Sequence, residues 1–194
     1  MKKIKKTIEI LQKVGYNSGK VVRLWQKSGK KWFENPKKEV AGMGRNIFYG
    51  EYSHTLDEKG RVILPAKFRD MLGDHCHITV GYDSCLTVYD DEGWEAFLGK
   101  LFEDLEHETD EDYRRRIRIM ASGGMDINID KQGRMLVPPV LRERAGIDKE
   151  VSIIGNLNKI EIWPGEVWHG YLLDEEHPLE KTAQKVENKK NVRV

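Results

Sequence analysis

Two five-residue stretches hold the groups best suited to chemistry: Asp57-Glu58-Lys59-Gly60-Arg61 and Asp130-Lys131-Gln132-Gly133-Arg134. Each sets a carboxylate four residues before a guanidinium, with a Lys among the fillers and a Gly directly before the Arg. The planar fork of Arg can donate to O6 and N7 of one guanine, the commonest specific base contact in the major groove. A carboxylate at this spacing can brace that fork, or simply close a tight turn with it. Gly60 and Gly133 allow a positive φ and a close approach to another surface. The two readings are compatible. If the loops meet DNA, Asp57 and Asp130 are braces, Arg61 and Arg134 base-reading tips, and Lys59 and Lys131 phosphate contacts; if they do not, the Asp–Arg pairs only fix the turns.

Other reactive groups are sparse. His75, Cys76, His77 and Cys85 lie near one another in sequence. On a strand His75 and His77 would share one face and Cys76 the other, and no second cluster completes a tetrahedral set. Ordinary strand packing is expected there, with no metal and no cofactor. His54, Asp57, Glu58 and Asp130 could move protons. However, the chain has no Gly-rich phosphate loop, nucleophile elbow or metal quartet, so it is not expected to be an enzyme. Two cysteines cannot build a disulfide framework and read as reduced thiols in a cytoplasmic protein.

The elements that must position these loops come in two copies. DEKGRVILP and DKQGRMLVP begin 73 residues apart, and Arg69, Gly73 and Phe68 align with Arg142, Gly146 and Leu141 at the same offset. A slip of one residue then brings Gly81 onto Gly155, Leu86 onto Ile160, Val88 onto Ile162 and Trp94 onto Trp168. Alternating strands lead into each loop. A short buried strand follows, stopped by Pro65 or Pro138, which suits the first turn of a short helix. Hairpins with turns near Tyr82-Asp83-Ser84 and Asn156-Leu157-Asn158 come next, then a longer helix in each unit. Trp94, Phe97, Leu98 and Leu101 on the first of these read as core or as an interface between copies.

Between the units, DEDYRRRIRIMAS predicts a linking helix whose arginines pair with nearby acids. Neither unit offers an independent core, so two pseudo-symmetric halves are expected to interleave. The organisation read from the sequence is a basic extension over 1–45, a first unit over 46–108, a linking helix and second unit over 109–176, and a polar tail over 177–194 without hydrophobic periodicity. No apolar run is long enough for a membrane helix, and the amino terminus has no secretory leader.

The quoted motifs resemble the MraZ family of bacterial transcriptional regulators over about residues 46–176. The resemblance implies an α+β fold in which duplicated βαβ-like units form a pseudo-symmetric AbrB-like swapped-hairpin β-barrel with flanking helices. It implies a sequence-specific DNA-binding repressor of the division and cell-wall gene cluster, cytoplasmic and nucleoid-associated. It further implies a homo-oligomeric ring bound to double-stranded DNA at tandem G-rich boxes upstream of its own gene. Pro139, where the family more often has Ala, is a mild departure at a helix start.

Net charge complicates this reading. Residues 1–45 carry 13 basic and 3 acidic residues, whereas residues 46–194 carry 20 basic and 29 acidic ones. An acidic body would need several loops on one ring surface to hold a polyanion. The basic segment lies before the family-like region, and its codons suggest an alternative origin. Trp25 and Trp32 require TGG triplets 21 nucleotides apart, about two turns of B-DNA. Residues 1–42 are therefore expected to be control DNA translated from an early start codon, the alternatives being a genuine basic arm or a plain disordered extension.

Overall fold

The computed structural model describes residues 46–107 and 109–191. The basic extension and the suggested operator stretch lie outside these residues. In chain order the elements are β1 (Phe48–Thr55), β2 (Arg61–Ile63), α1 (Ala66–Leu72), β3 (His75–Val80), β4 (Leu86–Tyr89) and α2 (Asp91–Asp104). A 3-10 turn over Leu105–His107 leads to the linking helix α3 (Glu111–Gly123). The second unit is β5 (Met125–Asn128), β6 (Arg134–Leu136), α4 (Pro139–Ala145), β7 (Glu150–Leu157), β8 (Lys159–Pro164) and α5 (Gly165–Leu172), followed by α6 (Leu179–Asn191). Among the described residues no helix is long and apolar enough to cross a membrane.

Interleaving is complete. The antiparallel sheet runs β1-β7-β8-β4-β3-β5, and β2 with β6 forms a separate two-stranded ribbon. Among the named strands of the described residues, only β3–β4 and β7–β8 pair within a unit; β1–β7, β3–β5, β4–β8 and β2–β6 all join one unit to the other. The register gives the symmetry. Leu86 faces Ile162 while Val88 faces Ile160, and Val62 sits opposite Met135 in the ribbon. A pseudo-two-fold therefore passes through the Thr87–Glu161 and Val62–Met135 pairs. Each half leaves backbone donors and acceptors that only the other can satisfy, which is why neither would hold a sheet alone.

The barrel expected from the resemblance is not closed by hydrogen bonds. β1 and β5 are the two ends of the sheet, and the ribbon packs between them, with β1 against β2 and β5 against β6. Buried Val62, Leu64, Phe68, Met135, Val137 and Leu141 fill the space beneath it. Pro65 and Pro138 stand at the N-caps of α1 and α4, where Pro65 O accepts from Arg69 N at 3.0 Å and Pro138 O from Arg142 N at 3.0 Å.

Three details depart from the sequence reading. Gly155 lies opposite Ile160 as Val80 lies opposite Leu86, so Gly81 and Gly155 are not equivalents. The first hairpin turns through Tyr82-Asp83-Ser84 and the second through Leu157-Asn158, one residue fewer. The polar tail contains the helix α6, exposed along its described length. The linking helix does pair an arginine with an acid: Arg116 Nη2 meets Asp104 Oδ2.

Candidate functional site

The Asp57 loop is built by one carboxylate. Asp57 Oδ1 accepts from the backbone N–H of Lys59 at 3.0 Å and of Arg61 at 2.9 Å. Its Oδ2 accepts from Arg61 Nε at 2.8 Å and Nη2 at 2.7 Å. The backbone closes the turn, Gly60 N donating to Asp57 O and Asp57 N to Arg61 O, each at 2.8 Å. The Asp130 loop repeats this. Asp130 Oδ1 accepts from Gln132 N and Arg134 N at 2.9 Å, and Oδ2 from Arg134 Nε and Nη2 at 2.8 and 2.7 Å. The Arg61 side-chain bond, then the Arg61 and Lys59 backbone donors, hold the Asp57 carboxyl down at about 2. Asp130 is lowered by the same kind of partners, Arg134 first. Both ion pairs are partly exposed, so they order the loops more than they anchor the fold.

Each loop is also clipped to the opposite unit. Leu64 N donates to Gly133 O and Val137 N to Gly60 O, both at 2.9 Å, extending the β2–β6 ladder by one pair at each end. Gly60 and Gly133 have φ of +75° and +77°. Crossing side chains press on both: Arg142 from α4 lies over Gly60, and Arg69 from α1 lies over Gly133. The 73-residue offset had aligned these two arginines without giving them a role. Their signal was present, but only the fold shows that each reaches into the other unit's loop.

Along the ribbon Val62 and Met135 point into the core with no exposure, while Arg61, Ile63, Arg134 and Leu136 share the outer face. Arg61 stands opposite Leu136 and Ile63 opposite Arg134. The two arginines therefore sit diagonally, two residues apart along the ribbon (about 7 Å) and one strand across (about 5 Å). Asp57 engages Nε and Nη2 of Arg61, which leaves the Nη1 edge of the guanidinium pointing away from its brace. Lys59 and Lys131 are exposed in the two loops. The eight predicted site residues thus lie on the ribbon or in the loops at its two ends.

The two cysteines are buried, and burial pushes both thiols up to about 12. Cys76 faces the core while His75 and His77 take the other side of β3, towards α2. Trp94 and Leu101 are buried on α2, with Phe97 packed against the core beside them.

Comparison with known proteins gives a consistent answer. A family profile described as "MraZ protein, putative antitoxin-like" matches residues 47–116 and again 120–189. The chain is 44% identical over 140 residues to a protein of Acetivibrio thermocellus named Transcriptional regulator MraZ, covering 72% of this chain and 96% of that one. Proteins of the same name from Lachnoclostridium phytofermentans and Caldicellulosiruptor saccharolyticus are each 45% identical, over 128 and 141 residues. These alignments cover 66% and 73% of this chain and 89% and 97% of the relatives.

Proposed function

The chain belongs to the MraZ family, and from that premise we propose that it is a sequence-specific DNA-binding transcriptional regulator. It represses the division and cell-wall gene cluster by reading tandem G-rich boxes upstream of its own gene. The observation that carries this reading is the β2–β6 ribbon, which displays Arg61 and Arg134 on one outer face with each guanidinium held by a carboxylate. The B-DNA major groove admits a two-stranded β-ribbon, and a held guanidinium loses less entropy on docking than a free one. Asp57 and Asp130 take one edge of each fork, leaving the other to guanine O6 and N7. Lys59 and Lys131 contact flanking phosphates, and Gly60 and Gly133 keep the loop tips low enough for the ribbon to approach.

The strand exchange between units supports the swapped-hairpin architecture that the resemblance implies. Residues 46–108 and 109–176 serve as its two halves, and the helical tail over 177–194 as an appendage. Single-ribbon contacts on an acidic body are weak, so a homo-oligomeric ring presents several ribbons to successive boxes in the nucleoid. Exposed Val167, Leu172 and Leu173, on and just after α5, supply apolar surface for that assembly.

The test is fluorescence anisotropy of a duplex carrying the TGG repeats back-translated from Trp25–Trp32, titrated with the full chain and set beside a scrambled duplex. Arg61→Lys/Arg134→Lys keeps the charge but loses the planar fork. Its expected effect is loss of sequence preference at unchanged oligomer mass. Undiminished preference in that variant would remove the ribbon from the reading.

A further inference from the structure

A cluster between β3 and the start of α2 has no part in the ribbon. His75 and His77 project from one face of β3 towards Asp91, the first residue of α2. Asp91 Oδ1 lies 3.0 Å from His75 Nε2 and 2.8 Å from His77 Nε2. The remaining ring nitrogens each face a further carboxylate. His75 Nδ1 is 3.0 Å from Asp74 Oδ1, and His77 Nδ1 is 2.7 Å from Asp126 Oδ1, which comes from β5 of the other unit. His77 is 3% exposed and stacks on Trp94 with ring planes 6° apart.

Two imidazoles thus present four nitrogens to carboxylate oxygens. A neutral imidazole has one N–H, so it can satisfy one such oxygen and must turn a lone pair on the other. The two ring centroids are 5.9 Å apart and both Nε2 atoms converge on Asp91 Oδ1. One divalent cation can take that shared place. Both Nε2 lone pairs and Asp91 then face the metal, and each Nδ1–H donates outward to its own carboxylate. Histidine ligands of transition metals are held in this way by carboxylates behind them.

We propose that His75, His77 and Asp91 form a binding site for one divalent transition-metal ion of the zinc class, with Asp74 and Asp126 holding the two rings. The three ligand atoms lie within 4.8 Å of one another, and Asp91 is 62% exposed and free to close on the ion. A fourth position faces solvent, where water completes a tetrahedron. Cys76, between the two histidines, is not a ligand, because it points into the core.

The pseudo-two-fold supplies an internal control. By strand register, Ser152 occupies the place of His77, Glu150 that of His75 and Ser53 that of Asp126. Gly165 opens α5 where Asp91 opens α2. The second unit therefore folds with none of the three ligands, and an open cleft lies at that place. The fold does not require the His–His–Asp set, whose chemistry belongs to the first unit alone.

The experiment is zinc titration of the chelator-stripped full chain at pH 7.5, by calorimetry and thermal melting. Asp91→Asn, His75→Gln and Asp126→Asn run beside it, with His177→Gln as a control for surface histidines. One equivalent should bind, raising Tm by about 5–10 °C at a hundredfold excess over Kd. Asp91→Asn and His75→Gln should abolish this with unchanged circular dichroism. Asp126→Asn should weaken it by roughly 10–100-fold, His177→Gln should leave it intact, and millimolar Mg2+ should not compete. Absence of binding by the wild type, or equal binding by folded Asp91→Asn and His75→Gln, would overturn the site. So would zinc-saturated rings that remain doubly protonated by nitrogen NMR.

Discussion

Replacing Gly133 with Ala should cost much more than the matching change at Gly60, although the two loops share their hydrogen bonds to within 0.1 Å. Both glycines have φ near +76°, between the observed +75° and +77°. A Cβ in that left-handed region costs roughly 1–2 kcal/mol, offset by about 0.4–1 kcal/mol from the stiffer unfolded chain. At Gly60 the new carbon would sit 3.0 Å from the end of the Arg142 guanidinium, which can give way by a few tenths of an ångström. At Gly133 it would run into Arg69 itself, overlapping Nη1 and Cδ and lying 2.7 Å from Cζ. Shifting a half-buried side chain by that much is overpacking, worth about 1–3 kcal/mol more. Gly60→Ala should therefore lower Tm by roughly 1–4 °C and Gly133→Ala by roughly 5–10 °C. Urea melts would check the free energies. Adding Arg69→Ala to Gly133→Ala should recover most of the difference, because it removes the obstacle and leaves only the φ cost. If Gly60→Ala proved the worse variant, or if Arg69→Ala gave no rescue, the crossed-arginine account of these loops would be wrong.

Three shorter expectations follow from the same geometry. The Asp57 carboxyl, held at about 2 against an ordinary 3.8, contributes stability that is complete above 3.8 and lost as pH falls through 2; a carboxyl NMR titration with its midpoint near 4 would show that the clasp with Arg61 is absent in solution. Cys76 and Cys85, with thiols pushed up to about 12, should resist a thiol reagent at pH 8 in the native chain and react promptly in denaturant; fast native labelling would contradict their burial. Leu172→Asp/Leu173→Asp should reduce the assembly mass in light scattering without altering the circular dichroism, and an unchanged mass would move the interface away from α5.

Much of the ribbon was legible because a tandem duplication writes its own symmetry. Residues 73 apart became equivalents across a pseudo-two-fold, so the spacing that linked Gly60-Arg61 to Gly133-Arg134 anticipated interleaved halves, though not that β2 itself would pair with β6. The role of Arg69 and Arg142 was not legible, since a helical Arg says nothing about which loop it will cross. Sequence matching put Gly81 on Gly155 because identical letters attract alignment, whereas strand register depends on the hairpin's length. The helix α6 was missed for a different reason. Its Lys, Glu, Gln and Ala favour helix by propensity, with no apolar stripe to betray it. The histidine cluster needed tertiary structure altogether: Asp91 and Asp126 come from α2 and from the other unit.

Equal geometry in the two loops does not mean equal electrostatics, and that difference makes the DNA reading sharper. The fillers of the first loop are Glu58 and Lys59, which cancel, whereas those of the second are Lys131 and Gln132, with a net positive charge. On the proposed reading, base recognition by Arg61 and Arg134 depends on the clasp, which is the same in both, so Arg61→Ala and Arg134→Ala should weaken sequence preference by similar factors. Each lost bidentate contact is worth about 1–3 kcal/mol of discrimination. Phosphate attraction depends on the fillers and should not be symmetric. Lys131→Ala should lower affinity for every duplex and reduce the salt slope, because it removes the second loop's only filler charge. Lys59→Ala should do more harm still, since it leaves Glu58 facing the backbone uncompensated. Glu58→Gln should then raise affinity without changing preference. Salt-dependent anisotropy on boxed and scrambled duplexes separates these cases. Filler changes that altered preference, or arginine changes that altered only the salt slope, would reverse the assignment of readers and phosphate contacts within the loops.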